Sequence, residues 1–275
     1  MKRIFNNKEL DDVFEKKGYI TTNLLDRSQI IALQTLANNL SSETDKFDKN
    51  IESDYDLSFF RENVAVKQRI FDELWHFFEK PIAQLLPDYE PLIINMFNKL
   101  PGTGEVPIHQ NWTFVDEDKY TSVSIWIPLC DVNKSNGTLE VVPGTHRNVS
   151  KYRSPSIPWV FRGMEEVLKK QYMVPLELKV GEVGIIDDSV IHYSGDNHSE
   201  QNRPTIQLIL KPKKAKALHY LGGKDNPHHL KIYEVDAQFF MSFNMNDRKI
   251  AGSFLGEKTV FNPQLTEEKL KEVIA

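Results

Sequence analysis

The first third of the chain places hydrophobic residues at helical spacing, followed by polar breaks. Asp26 is a good N-cap residue, and Gly18 is a good helix stop because glycine adopts left-handed backbone angles freely. We expect Pro81 to end or kink a helix, since proline lacks the amide hydrogen that a helix interior needs. Residues 1–90 are therefore predicted to be mainly helical, with the polar, acidic stretch 41–58 as a loop. The predicted helices lie in residues 7–18, 26–40 and 63–86.

From about residue 91 the hydrophobic period changes from 3.6 to 2. In one segment Val123, Ile125 and Ile127 alternate with Ser124 and Trp126, as expected for a strand. Several short strands separated by glycine, proline and asparagine are typical of a β-sandwich or barrel. We predict a single domain over residues 1–275. Its parts are the helical 1–90, an all-β core over 91–212, and a mixed C-terminal extension over 213–275 with a charged final helix.

Composition narrows the classes of function. The 275 residues are 40% hydrophobic and carry a net charge of −5, which gives no general attraction to nucleic acid or acidic membranes. No segment has the roughly 20 apolar residues of a membrane helix, and the start has no apolar run typical of a signal peptide. Cys130 is the single cysteine, so no internal disulfide is expected. A cytoplasmic protein with a small-molecule partner is predicted.

Two histidines at predicted strand ends suggest a metal site. His109 follows the segment LPGTGEVP and precedes Asn111 by two positions, and His192 precedes Ser194 by two. Either histidine alone is more often a hydrogen-bonded structural residue. The pair changes this balance, because a non-heme iron site of the facial type needs two histidines and one carboxylate. Arg203 follows His192 by 11 residues and would suit a carboxylate ligand.

Five short motifs follow one another in the stretch from Lys99 to Pro212. They are His109-Gln110-Asn111-Trp112, Trp126-Ile127-Pro128-Leu129, NGTLEVVPGTHR at 136–147, His192-Tyr193-Ser194 and Arg203-Pro204-Thr205. In this order they resemble the phytanoyl-CoA dioxygenase family of iron(II)- and 2-oxoglutarate-dependent oxygenases. The helical start FEKKGYITTNLLDRSQIIAL is also similar, so the resemblance covers about 200 residues. It implies a mainly β fold, a double-stranded β-helix (a jelly-roll, cupin-like barrel) with flanking N-terminal helices.

The resemblance also implies roles for individual residues. The implied reaction uses iron(II), 2-oxoglutarate and O₂ to hydroxylate a small molecule or biosynthetic intermediate. The far carboxylate of 2-oxoglutarate is expected to bind Arg203, with a further hydrogen bond from Ser194 or Thr205. Asn98 and Trp126 are expected to line the same pocket. The implied metal ligands are His109, Asn111 and His192.

Asn111 stands where the family has aspartate, and this departure leaves several possibilities open. The amide oxygen can coordinate iron as a weaker, neutral ligand. The side chain can instead withdraw and leave a position for a halide, as in halogenases. The site can be inactive, so that the chain is a non-catalytic binding protein on the same scaffold. Lastly, Asp116 or Glu117 can supply the carboxylate, although VDEDK also suits a charged turn.

Other polar residues near the motifs have structural explanations. We expect His146 to serve turn structure, and Asp187 and Asp188 to cap a turn or orient a neighbour rather than bind metal. A basic segment would suit an anionic substrate, although a solvated loop explains it equally. The segment contains Lys151, Arg153 and Arg162.

Overall fold

The computed structural model describes residues 3–41, 55–146, 149–244 and 248–274. The helices are α1 (Lys8–Lys17), α2 (Arg27–Ser41), α3 (Val64–Leu85), α4 (Glu165–Gln171), α5 (Ala237–Met241) and α6 (Glu267–Ile274). The strands are β1 (Tyr19–Asn23), β2 (Tyr55–Leu57), β3 (Tyr89–Lys99), β4 (Val106–His109), β5 (Val123–Pro128), β6 (Leu139–Val141), β7 (Val174–Pro175), β8 (Glu182–Asp187), β9 (His192–Ser194), β10 (Arg203–Pro212), β11 (Ala217–Gly222), β12 (His229–Val235) and β13 (Ser253–Thr259).

Two antiparallel sheets form the barrel. The larger sheet has the strand order β1-β8-β5-β10-β3-β2, and the smaller has the order β4-β9-β6-β7. Trp126 and Ile186 of the larger sheet pack in one cluster with Leu139 and Val141 of the smaller, so the two sheets face each other. This is the predicted double-stranded β-helix, and the prediction of a mainly β fold is confirmed.

The N-terminal helices cover the outer face of the larger sheet. Leu74 and Phe78 of α3 pack in one core cluster with Ile125 of β5 and Leu208 of β10. Alternate residues of β5, such as Ser124 and Trp126, point instead toward the interior of the barrel and line a cavity. Both faces of this strand are therefore buried, and the face with polar residues is the one available for a ligand.

The predicted helix boundaries are largely confirmed. Gly18 ends α1 with φ of 77°, a left-handed conformation in which glycine avoids the strain of a side chain. Asp26 precedes α2, and its carboxylate accepts a hydrogen bond of 2.9 Å from the Gln29 amide. Pro81 was predicted to end or kink its helix, and the first of these alternatives is wrong, because α3 continues to Leu85 with the proline side chain buried.

Two short edge strands were not predicted in the N-terminal third. β1 pairs with β8, where Tyr19 faces Ile186, and β2 pairs with β3, where Leu57 faces Phe97. Most of the predicted loop 41–58 lies outside the described residues, but Tyr55–Leu57 is a strand. Such short edge strands are held by backbone pairing to a neighbour, so they carry little hydrophobic pattern of their own.

The C-terminal extension forms an additional sheet with the order β11-β12-β13. The predicted charged helix is present as α6, and Leu270 of this helix is fully buried. It packs in one cluster with Ile108 and Ile191, which precede His109 and His192 in the chain. Within the described ranges, no helix is long and apolar enough to cross a membrane.

Candidate metal and co-substrate site

Pairing of β4 with β9 brings the two predicted histidines together. His109 and His192 lie opposite each other in this antiparallel pair, and their ring centroids are 4.1 Å apart. Both rings line a cavity of about 280 Å³ inside the barrel, together with Asn111 and Arg203. His109 and Arg203, which lie almost 100 positions apart in the chain, thus line the same cavity.

The hydrogen bonds of the two imidazoles determine which nitrogen is available. Nδ1 of His109 lies 2.8 Å from the Pro107 carbonyl oxygen, and Nδ1 of His192 lies 2.8 Å from that of Val190. Because a carbonyl oxygen only accepts, each Nδ1 carries the hydrogen and each Nε2 keeps its lone pair. Burial lowers the pKa of both rings, so both are neutral imidazoles suited to bind a divalent metal.

Asn111 is buried and its amide is held in place. Nδ2 donates to Ser124 Oγ at 2.9 Å and to Asp188 Oδ1 at 2.8 Å. Burial lowers the pKa of His109, whereas hydrogen bonding to Pro107 and to the Asn111 side chain raises it. Because Nδ2 is bound to Ser124 and Asp188, the amide leaves its acceptor, Oδ1, for the cavity that the His109 ring also lines. Two imidazole nitrogens and an amide oxygen are all ligand types that a divalent metal accepts, so these residues fit such an ion.

Neither of the two carboxylates considered as a substitute for the missing aspartate, Asp116 and Glu117, lines this cavity. Glu117 forms a two-pronged ion pair with Arg153, and Asp116 pairs with Lys119 at 2.7 Å. The idea that either residue supplies the ligand is therefore wrong, because both are committed elsewhere. Among the described residues no group of three histidine, cysteine, aspartate or glutamate side chains is placed to hold a metal. The idea of a withdrawn Asn111 also finds no support, since withdrawal would break both of its hydrogen bonds.

Arg203 is a buried cation with room for an anion. It is 1% exposed, and Nη1 donates to Thr205 Oγ1 at 3.0 Å. Its Nε atom has no hydrogen-bond partner, and no carboxylate in the described part of the chain pairs with it. The Cζ atom lies 5.2 Å from the Phe97 ring and 5.4 Å from the Trp126 ring. Burial lowers the pKa of Arg203 to about 10, which leaves the side chain charged near pH 7.

Ser194 lines the cavity, but its hydroxyl group is engaged within the protein. It donates to the Gly137 carbonyl at 2.8 Å and accepts from Lys99 Nζ at 2.6 Å. Lys99 is fully buried, and burial together with the nearby Arg203 charge lowers its pKa to about 6. Sequence reasoning missed Lys99, which has no motif around it. As positioned, Ser194 binds this lysine, and a bond to 2-oxoglutarate would require its hydroxyl to rotate.

The prediction that Asn98 lines the pocket is contradicted by the strand alternation of β3. Asn95 and Phe97 of this strand line the cavity, so Asn98 points to the opposite face. Gln207 of β10 also lines the cavity and was not predicted. The period of two could have identified it, because every second residue from Arg203 to Gln207 is polar.

The two consecutive aspartates have different partners. Asp187 Oδ1 accepts from the Ser189 amide at 2.8 Å and caps the turn before β9. Asp188 Oδ1 accepts from Asn111 and Ser124. Burial raises the pKa of Asp188 to about 6, and the hydrogen bonds that it accepts oppose this effect. Away from the cavity, His146 Nε2 lies 3.0 Å from the Glu15 carbonyl and links its turn to α1.

The rest of the cavity wall is aromatic and aliphatic. The apolar lining includes Tyr55, Phe59, Ile93, Trp112, Phe114 and Ile209.

The three basic residues considered for an anionic substrate do not offer a free positive charge to this cavity. Lys151 forms an ion pair with Asp118, and Arg153 forms one with Glu117. Arg162 is exposed and does not line the cavity.

Comparison with known proteins gives consistent family matches. The family model described as phytanoyl-CoA dioxygenase (PhyH) matches residues 14–205. The protein named phytanoyl-CoA dioxygenase 1 of Oryza sativa subsp. japonica is 35% identical over 113 residues, 40% of each chain. The phytanoyl-CoA dioxygenase domain-containing protein 1 homolog of Dictyostelium discoideum is 30% identical over 151 residues, 52% of this chain and 49% of that protein. The matched region thus spans about half or less of these relatives.

A solved structure shares the fold at lower identity. The non-heme alpha ketoglutarate dependent carbocyclase SnoK from nogalamycin biosynthesis superposes with a TM-score of 0.55 and 16% identity. The alignment covers 77% of this chain and 86% of that one. At this level of identity the similarity establishes the barrel architecture alone.

Proposed function

Since the chain belongs to the phytanoyl-CoA dioxygenase family, we propose that it is an iron(II)- and 2-oxoglutarate-dependent oxygenase that hydroxylates a small molecule. One observation carries this proposal. A single cavity is lined by the paired imidazoles, by Asn111, and by the buried guanidinium of Arg203. An unpaired buried cation is costly unless an anion joins it, so the site is built to receive a carboxylate near the histidine pair.

Each side chain has a defined task in this proposal. His109 and His192 would hold the metal through Nε2, and Asn111 through Oδ1. Arg203 binds the far carboxylate of 2-oxoglutarate by parallel hydrogen bonds. Thr205 fixes the guanidinium, and Phe97 and Trp126 shield it from water. Bound iron(II) would supply O₂ activation: 2-oxoglutarate would lose CO₂ and become succinate with one oxygen atom of O₂, and the other oxygen atom would enter the substrate as a hydroxyl group.

Metal and co-substrate binding test the proposal directly. Protein purified without oxygen is titrated with Mn²⁺ and then with 2-oxoglutarate by calorimetry. We expect one metal per chain, 2-oxoglutarate binding that depends on the metal, and succinate release once iron(II) and O₂ are supplied. His192→Ala should weaken metal binding at least tenfold. His229→Ala is the control, because His229 is a surface residue paired with Glu257. A wild type that binds neither ligand overturns the proposal.

A non-catalytic binding protein is the second candidate. It is favoured by the lack of a third histidine, cysteine or carboxylate ligand among the described residues. This candidate predicts that 2-oxoglutarate binds equally well with and without metal, and that no succinate forms. The same titration therefore separates the two functions.

The apolar cavity wall also narrows the substrate class. We propose a neutral substrate with an apolar part, because Lys151 and Arg153 are paired with carboxylates and the wall is aromatic. A second cavity of about 430 Å³ shares Tyr55, His109 and Trp112 with the first and offers an entry route. Neutral apolar compounds should stimulate succinate release more than anionic acyl-thioesters. The opposite ranking would exclude this substrate class.

A further inference from the structure

The orientation of the Asn111 amide is fixed by a closed triangle of hydrogen bonds. Nδ2 donates to Ser124 Oγ at 2.9 Å and to Asp188 Oδ1 at 2.8 Å, and Ser124 Oγ donates to the same Asp188 oxygen at 2.7 Å. All three side chains are buried, and Asp188 is 0% exposed. The Ser124 hydroxyl can donate or accept, so it does not select one orientation of the Asn111 amide. The Asp188 carboxylate only accepts, so it requires the NH₂ group of Asn111 on its side.

A reversed amide would conflict with this triangle. Its oxygen would face Asp188 Oδ1 at hydrogen-bond distance with no hydrogen between them, and its NH₂ group would face the His109 ring. A buried polar group without a partner costs about 1 to 3 kcal/mol. Asp188 therefore keeps Oδ1 of Asn111 on the side of the imidazoles.

Building on the proposed function, we propose that Asp188 is the positioning residue of the metal site. It holds Asn111 so that a neutral amide oxygen occupies the place of the usual aspartate ligand. The site thus contains a carboxylate, that of Asp188, but it binds the proposed ligand Asn111 through a hydrogen bond instead of binding the metal itself. Residues 111 and 188 form a complementary pair, an amide donor and a carboxylate acceptor.

The complementary pair has a consequence for the obvious repair mutation. Asn111→Asp replaces the donor Nδ2 by an oxygen that faces Asp188 Oδ1, so the two buried carboxyl groups either repel each other or must take up a proton, and both outcomes cost free energy of folding above about pH 7. Exchanging both residues restores the pair in the opposite direction, because an amide at position 188 then donates to a carboxylate at position 111. The single change should therefore destabilise the metal-free protein, and exchanging both residues should restore its stability.

The first experiment measures Co²⁺ affinity, since this ion is stable to oxygen. Asp188→Ala removes the acceptor, and metal affinity should fall about 10- to 100-fold, as for other groups that orient ligands. Asp188→Asn keeps an oxygen that can accept from Asn111, so it should recover most of this loss. Asp187→Asn is the matched control, because the neighbouring Asp187 bonds Ser189 and not Asn111. It should bind Co²⁺ as the wild type does.

The second experiment measures the thermal unfolding of the metal-free proteins. Its result does not depend on whether a variant binds metal. Asn111→Asp should lower Tm, and the double variant Asn111→Asp, Asp188→Asn should return Tm toward the wild-type value and bind Co²⁺ at least as tightly as the wild type. If Asp188→Ala binds Co²⁺ like the wild type, or if the exchange does not rescue Asn111→Asp, the positioning role is wrong while the proposed function stands. A wild type that binds no divalent metal overturns the proposed function, and this inference with it.

Discussion

Arg203 is the residue on which the proposed co-substrate site depends most directly. Its guanidinium lies between two aromatic rings and faces the cavity without a carboxylate partner in the described ranges. Arg203→Ala would leave the far carboxylate of 2-oxoglutarate buried and unpaired. We expect the affinity for 2-oxoglutarate to fall a hundredfold or more, roughly 3 kcal/mol, in a calorimetric titration of metal-loaded protein.

The control for this change is Arg69→Ala, which removes an exposed arginine of α3 that pairs with Glu73. It should leave the titration unchanged. Arg203→Lys should fall between the two, because a lysine keeps the charge but loses the paired hydrogen bonds. Equal 2-oxoglutarate affinity in Arg203→Ala and in the wild type would mean that this arginine serves another purpose.

At the level of elements, the junction between α1 and β1 has little room for a side chain. Gly18 has φ of 77°, and an added Cβ would lie 2.6 Å from Val190 Cγ2 and closer still to the His146 ring. Gly102 has a similar φ of 76° but open space around it. Gly102→Ala should therefore cost about 1 to 2 kcal/mol from backbone strain, and Gly18→Ala about 2 to 5 kcal/mol from strain plus overpacking.

Urea unfolding of the two glycine variants separates these effects. The difference between them reports the close contact of the α1–β1 junction with His146 and with Val190 in the turn that precedes β9. Equal losses of unfolding free energy would show that this contact relaxes without a penalty.

Strand β11 carries a histidine that should make stability depend on pH. His219 is 3% exposed, and its ring centroid lies 5.1 Å from that of Phe239. Burial lowers its pKa from 6.5 to about 4. Between these values the unfolded chain binds the proton and the folded chain does not, so stability rises with pH from about 4 to 6.5.

His219→Phe should lower the slope of the unfolding free energy against pH in this window, by at most the contribution of one bound proton. The slope is obtained by measuring the unfolding free energy at several pH values. His76→Phe, on the exposed side of α3, is the control and should leave the profile as it is. A slope that His219→Phe leaves unchanged would assign the pH dependence to other groups.

At the scale of the whole molecule, ligand binding should stabilise the fold. The proposed metal ligands come from β4, β9 and the segment after β4, and Ile108 of β4 and Ile191 just before β9 pack in one cluster with Leu270 of α6. A ligand that binds the folded state alone adds about 2.7 kcal/mol at a concentration of a hundred times its Kd. Tm should therefore rise with Mn²⁺, rise again with 2-oxoglutarate, and fall back when a chelator removes the metal.

Two variants show which part of this increase in Tm is caused by each ligand. Arg203→Ala should keep the shift caused by Mn²⁺ and lose the shift caused by 2-oxoglutarate. His192→Ala should lose both, because the co-substrate is expected to bind beside the metal. A 2-oxoglutarate shift that persists in His192→Ala would favour the metal-independent binding protein.

Local patterns and motifs along the chain were enough to predict the class of fold and the main members of the proposed site. Local periodicity is a short-range property, so the change from period 3.6 to 2 near residue 91 identified the helical and β regions, and Gly18 and Asp26 marked helix ends. The motif residues His109, Asn111, His192 and Arg203 were predicted together, and they line one cavity. Alternation in β10 also carried the information that Gln207 faces inward.

Contacts between residues distant in sequence could not be predicted from these patterns, because they arise when the strands pair. The edge strands β1 and β2 are held by pairing with β8 and β3, which no local pattern encodes. Lys99 reaches Ser194 across 95 positions, and Asp188 reaches Asn111 across 77. Side-chain type at one position cannot reveal such partners, because strand order and register determine which polar groups meet inside a barrel. The orientation of the Asn111 amide is a property of that packing.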